Sequence, residues 1–230
     1  MNRQPQRMLV ISPHPDDCIL GAGGTMARFA DAGGKVTVLT VAVHSPPLFS
    51  EDVQYLSLEE ARKAHSVIGV DDSIFLNILA LSVAQLPQWE LNKQLSEVVQ
   101  KVSPHILLLP SPDRNIDHRA VFESGMVVSR PFLSGNNISV VASYEVLSST
   151  YYNAPYIEPN FISNWNVDIT EFMEIKIEAL KCCGSHIGPM PHPRSCEAVR
   201  SLAVFRGSQA GMKYGEDFYL IRMTSFPSFF

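Results

Sequence analysis

The stretch "ISPHPDDCILGAGGT", which begins at Ile11, places one imidazole and two adjacent carboxylates directly behind an apolar run. Adjacent carboxylates repel each other, and a bound cation would remove that repulsion. A second polar group, Asp113, Asn115, Asp117 and His118, follows another apolar run, "HILLLPSP". Imidazole plus carboxylate is a hard-to-borderline ligand set that suits Zn²⁺; Fe²⁺ fits the same donors. His14, Asp17 and His118 make a His-Asp-His set of the kind that leaves a coordination position for water. Asp16 then stays unliganded beside the ion, where it can take a proton from a water whose pKa the metal has lowered to about 7.

For these groups to meet, the elements carrying them must be neighbours. Short apolar runs at 7–13, 35–43, 73–79, 105–112 and 139–147 alternate with amphipathic segments such as "SLEEARKAHSVIGV" and "LNKQLSEVVQKV". The pattern predicts a Rossmann-like α/β fold, with a mostly parallel twisted sheet and helices on both faces. In such sheets ligands bind beyond the carboxyl ends of the strands. Both polar clusters sit just past a strand, so they face each other if the first and fourth strands are close in the sheet. Helices are also predicted over "GGTMARFADAGG", "DHRAVFESGMVVSRPFL", "ITEFMEIKIEALKCCGSH" and "CEAVRSLAVFRG", with a last strand at 217–223. The intervening "SSTYYNAPYIEPNFISNWNV" reads as a long irregular stretch. Tyr151, Tyr152, Tyr156 and Trp165 within it either form a platform for a sugar face or pin the loop to the core.

The totals bound the alternatives. The chain has 230 residues, 46% of them hydrophobic and 18% charged, which suits a single domain over 1–230 with a real core. A formal net charge of −5 without a basic stripe argues against a nucleic-acid partner. No apolar run approaches the roughly 18 residues of a membrane span, and "MNRQPQRMLV" lacks the apolar stretch of a signal peptide. A cytoplasmic location is expected, with Cys18, Cys182, Cys183 and Cys196 as free thiols. "GAGGT" departs from the G-x-G-x-x-G dinucleotide fingerprint because Met26 stands at its third glycine position. Close packing of a helix on the sheet is the better account of these glycines. His44, His65, His105 and His186 show no partner pattern and read as structural or surface residues. His192, in "PMPHPRS", lies where a loop could edge the pocket.

"PHPDDCILGAGGT" resembles the signature of the PIG-L/LmbE-like N-acetylglucosamine deacetylases. "PDRNIDHRAVFES" is similar to that family's second block, and "AVFRGSQAGMKYGEDF" to its C-terminal block. The resemblance implies a catalytic zinc held by His14, Asp17 and His118, with Asp16 as general base. It implies an amino-sugar conjugate as the small-molecule substrate, which loses its N-acetyl group. It makes Asp117, the carboxylate preceding the last ligand, a supporting residue behind the metal set. Four positions depart from the family pattern: Cys18 for Glu, Asn115 for His, Ile116 for Pro, and Ser57 near a usual Arg. Asn115 can still donate a hydrogen bond to an oxyanion. Tyr214 and Glu216 match the third block but could simply buttress the rim, Glu216 as a structural ion pair with Arg206. Two rivals stand: an amidase on a larger sugar-thiol conjugate, and a non-catalytic sugar- or nucleotide-binding module. Assembly into a homo-oligomer is left open.

Overall fold

A computed structural model describes residues 5–154, 156–157 and 160–224; Pro155, Glu158 and Pro159 of the irregular stretch lie outside the described residues. Seven strands form one sheet: β1 (Arg7–Ser12), β2 (Lys35–Val43), β3 (Asp72–Leu79), β4 (Ile106–Pro110), β5 (Val140–Tyr144), β6 (Trp165–Asp168) and β7 (Gly215–Met223). Their order is β3-β2-β1-β4-β5-β7-β6. The first five run parallel, and β7 runs antiparallel to both β5 and β6. The near-continuous apolar strands are explained by burial on both faces. On one face lie α1 (Asp17–Asp31), α2 (Glu51–Ile68), α5 (Met173–Cys182) and α6 (Cys196–Gln209), packed on Met8, Val10, Val38, Leu108 and Tyr144. On the other, α3 (Gln88–Val102) and α4 (Ile116–Val128) cover Leu9, Ile11, Leu39, Leu107 and Leu109.

The topology settles the neighbour relation that the sequence left conditional. β1 pairs with β4 directly, Leu9 opposite Leu107. The chain winds outward from β1 through β2 to β3, then returns to lay β4 on β1's other side. Strand order therefore reverses between β1 and β4, the kind of switch point beyond whose carboxyl edge open α/β sheets bind ligands.

Three element readings are corrected. α1 begins at Asp17, several residues before the glycine run, so the second carboxylate of the His-Pro-Asp-Asp stretch is already helical. α2 begins at Glu51, where the Ser50 hydroxyl accepts the Val53 N–H, and closes on Gly69 in the left-handed region at φ 87°. The irregular stretch ends in β6, a four-residue edge strand too short for a period-2 pattern to show.

The glycines of α1 serve close approach. A Cβ on Gly21 would sit 2.3 Å from Cδ2 of Tyr144 and 2.6 Å from the Glu145 carbonyl, and one on Gly24 would sit 2.8 Å from Ile169. Glu216 reaches into the same helix. It accepts the Gly24 and Thr25 N–H groups at 2.9 and 2.7 Å and pairs with buried Lys176 at 2.6 Å, while Lys176 caps the Leu20 carbonyl. Glu216 thus supports α1 through Lys176, and Arg206 does not pair with it. Arg206 instead grips Glu145 with Nε and Nη2 at 2.9 and 2.7 Å.

Candidate metal centre

The loop after β1 is locked by its own side chains. The Ser12 hydroxyl donates to the His14 carbonyl at 2.6 Å and accepts the Cys18 N–H at 3.0 Å. Tyr144, fully buried, donates its hydroxyl to the Ile11 carbonyl at 2.8 Å. The loop after β4 is fixed by Asp113, whose Oδ1 accepts the Asn115 N–H, and by Asn115, which caps α4 by accepting the Asp117 N–H, both at 2.9 Å.

These two loops bring His14, Asp17 and His118 together, with one donor atom of each within 4.8 Å of the others. Asp17 Oδ2 lies 2.9 Å from His14 Nδ1 and 3.1 Å from His118 Nε2. A tetrahedral zinc with bonds near 2.0–2.2 Å holds its ligand atoms about 3.4 Å apart, so the cluster is close to the required span. The far nitrogen of each ring is held by a further carboxylate. His14 Nε2 meets Asp117 Oδ2 at 3.1 Å, and His118 Nδ1 meets Asp113 Oδ2 at 3.0 Å. Carboxylates placed behind ligating imidazoles fix ring orientation and raise ligand basicity, as metal centres require. Buried Asp17 Oδ1 and His118 Nε2 make no hydrogen bond. Buried polar groups are seldom left so, and a cation between them would satisfy both. The donors present therefore fit a divalent metal.

The charges agree. Burial works against protonating His14, but Asp17 and Asp117 outweigh it and raise its pKa to about 9. At His118 burial is again the largest influence and is again outweighed, by Asp17 and Asp113, giving about 10. Burial would raise Asp17, yet the two imidazoles hold it well below the ordinary carboxylate range. Both rings thus lean toward the charged form and crowd the Asp17 carboxylate, a place that a divalent ion would fill.

Asp16 behaves differently. It occupies the N-cap position of α1 but makes no capping bond. It is fully buried, and neither of its oxygens makes a hydrogen bond. Its counter-charge is Arg194, with Nη1 3.1 Å from Asp16 Oδ2, a contact at ion-pair distance that is not aligned as a hydrogen bond.

Six predicted positions, His14, Asp16, Asp17, Asn115, Asp117 and His118, thus converge on one rim. The reading missed two groups. Asp113 was seen as polar but not as the carboxylate behind His118; its place five residues before that imidazole was the available signal. Arg194 had none, because it reaches the site from the loop before α6. His44 also lies nearer the site than expected. It is half-buried and stacked on His186, with ring centroids 5.5 Å apart; burial lowers its pKa first, followed by His186, and Arg194 adds to the effect. His192 is exposed and accepts the Arg194 N–H at 3.1 Å, so it shapes that loop. Cys18 Sγ meets His65 Nε2 at 3.7 Å, and burial pushes its thiol up to about 12. All four cysteines are free. Of the aromatics, Trp165 packs on Phe218 with centroids 5.1 Å apart, Tyr151 donates to Glu145, and Tyr152 and Tyr156 are exposed.

Fold and site together define an α/β protein with a buried His-Asp-His cluster that could hold a metal ion, at the sheet's switch point. The profile of the PIG-L family, described as GlcNAc-PI de-N-acetylase, matches residues 9–129, and the chain belongs to this family. It is 28% identical over 224 residues to the diacetylchitobiose deacetylase of Thermococcus kodakarensis, covering 92% of this chain and 81% of that one. It superposes on the N,N'-diacetylchitobiose deacetylase from Pyrococcus horikoshii with a TM-score of 0.72 at 26% identity, over 94% of this chain and 84% of the other. The 4-carboxy-2-hydroxymuconate hydratase GalB of Pseudomonas putida shares the fold at a TM-score of 0.76 and 19% identity, covering 97% of this chain and 100% of that one. Among the described residues, no helix is long and apolar enough to cross a membrane.

Proposed function

We propose that this chain is a zinc-dependent N-deacetylase that releases acetate from an N-acetylglucosamine-type conjugate. Since the same fold also carries a hydratase, the fold is not the warrant. The observation that carries the reading is the convergence of His14, Asp17 and His118, with Asp16 next in the chain to Asp17, buried, making no hydrogen bond and facing Arg194 as its counter-charge. A divalent ion held there supplies Lewis acidity and acidifies water. Asp16 takes the proton of the attacking water on a carboxylate oxygen and returns it to the departing amine. Asp113 and Asp117 keep the two rings oriented throughout. Asn115, whose Oδ1 is committed to the α4 cap, offers its amide N–H groups to the developing oxyanion. A cavity of about 310 Å³ borders Asp113; Phe122, Phe161 and Tyr219 wall it, and Ser111 and Thr150 line it too. Its tie to the metal set is Asp113, the carboxylate behind His118; His14, Asp16, Asp17 and His118 do not line it.

The test is metal analysis joined to an acetate-release screen over N-acetylglucosamine conjugates. Stoichiometric zinc with acetate released from one of them supports the proposal. Release of a larger acid without acetate would make the protein an amidase. A bound metal with no turnover of any conjugate would make it a binding module.

A further inference from the structure

Asp16 lies in an unfavourable place for a carboxylate: it is fully buried, and neither oxygen makes a hydrogen bond. A buried charge needs a partner. Among the described residues the cation at ion-pair distance is Arg194, with Nη1 3.1 Å from Asp16 Oδ2. Arg194 is itself held. Its Nε donates to the Ser148 hydroxyl at 2.8 Å, and its backbone N–H donates to His192 Nδ1 at 3.1 Å. The next residue, Ser195, caps α6 by accepting the Ala198 N–H at 3.1 Å. The guanidinium therefore spans two loops, one after β1 and one after β5, from a backbone fixed by a helix start. Arg194 is only partly exposed, so solvent screens this pair less than a surface one.

The geometry points to Arg194 as a positioning residue for Asp16. It holds Oδ2 and leaves Oδ1 as the oxygen that handles the proton. This inference rests on Asp16 acting as the base. A planar guanidinium can contact Asp16 and Ser148 at once, whereas a lysine ammonium offers a single point charge. The contacts that hold Arg194 run to Asp16, Ser148 and His192 and to none of His14, Asp17 and His118, so loss of Arg194 should leave the metal set intact.

The test compares the parent with Arg194→Ala, Arg194→Lys, Asp16→Ala and the double variant Arg194→Ala/Asp16→Ala. The substrate is the conjugate found active in the acetate screen, and zinc stoichiometry and thermal midpoint are read on every protein. Arg194→Ala is expected to lower kcat at least 10-fold, with KM within 3-fold and zinc content unchanged. Free guanidinium ion should restore part of that kcat, but not in the double variant. Arg194→Lys should fall between parent and alanine variant, and it keeps the test alive if the alanine protein does not fold. The double variant should turn over at the residual rate of Asp16→Ala. A further tenfold loss in the double variant would show that Arg194 acts independently of Asp16 and would overturn the inference. So would a rise in KM at constant kcat, which would make Arg194 a substrate contact. Asp16→Ala at the parental rate would sink the base assignment itself, a separate failure.

Discussion

Asp113 Oδ2 lies 3.0 Å from His118 Nδ1, and the same oxygen accepts the Thr150 hydroxyl at 3.0 Å. The imidazole is thereby turned so that Nε2 faces Asp17. Asp113→Ala is expected to weaken zinc binding about 10- to 100-fold, the usual cost of losing a carboxylate behind a ligating histidine. Titration against a competing chelator measures it, and unchanged affinity would show that the ring is oriented by packing alone.

Metal binding should be proton-coupled. The metal-free pKa values of His14 and His118 are raised to about 9 and about 10. Both rings are thus protonated at neutral pH and must lose protons to ligate. Apparent zinc affinity should climb with pH from 6 to 9, and calorimetry in buffers of different ionisation enthalpy should show proton release. The metal-free protein carries the opposite dependence. Because both folded pKa values lie above the unfolded 6.5, their stabilising effect is complete below pH 6.5 and is lost as pH rises through 9 to 10.

His65 sets an acid limit. Its Nδ1 meets the Ser73 hydroxyl at 2.8 Å inside the α2–β3 packing; burial first, then Arg62, lowers its pKa to about 4. A folded pKa below the unfolded 6.5 means that the unfolded chain binds the extra proton. Stability therefore falls as pH drops from 6.5 to 4, by up to about 3 kcal/mol. Denaturant melts of the parent and His65→Gln should show the slope over that window in the parent and a flatter one in the variant.

Asn115 separates capping from catalysis. Asn115→Ser keeps a good N-cap but removes the amide. Its thermal midpoint should stay near the parent's while kcat falls about 100-fold, the usual effect of losing an oxyanion donor. An unchanged kcat would assign Asn115 to the α4 cap alone.

Gly21→Ala tests the close approach of α1 to β5. The added methyl would meet Tyr144 and the Glu145 carbonyl well inside van der Waals contact. A loss of about 1–3 kcal/mol is expected from such overpacking, read as a shift in the denaturation midpoint at constant m-value. Tyr144 also tethers Ile11, so zinc affinity should fall as well.

Much of this protein is legible along the chain. The ligand types His14, Asp17 and His118, the spare Asp16, the strand-helix alternation and the close-packing glycines all rest on interactions within a few residues or on local periodicity, which the residue order displays directly. The pairing of β1 with β4, the edge strand β6 and the reach of Arg194 to Asp16 were decided in three dimensions. Each joins segments whose separation leaves no periodic trace, and each depends on which surfaces the helices bury against the sheet. Residue order thus determined which groups could bind a cation, and only packing determined which of them meet, and which cation stands beside the free acid.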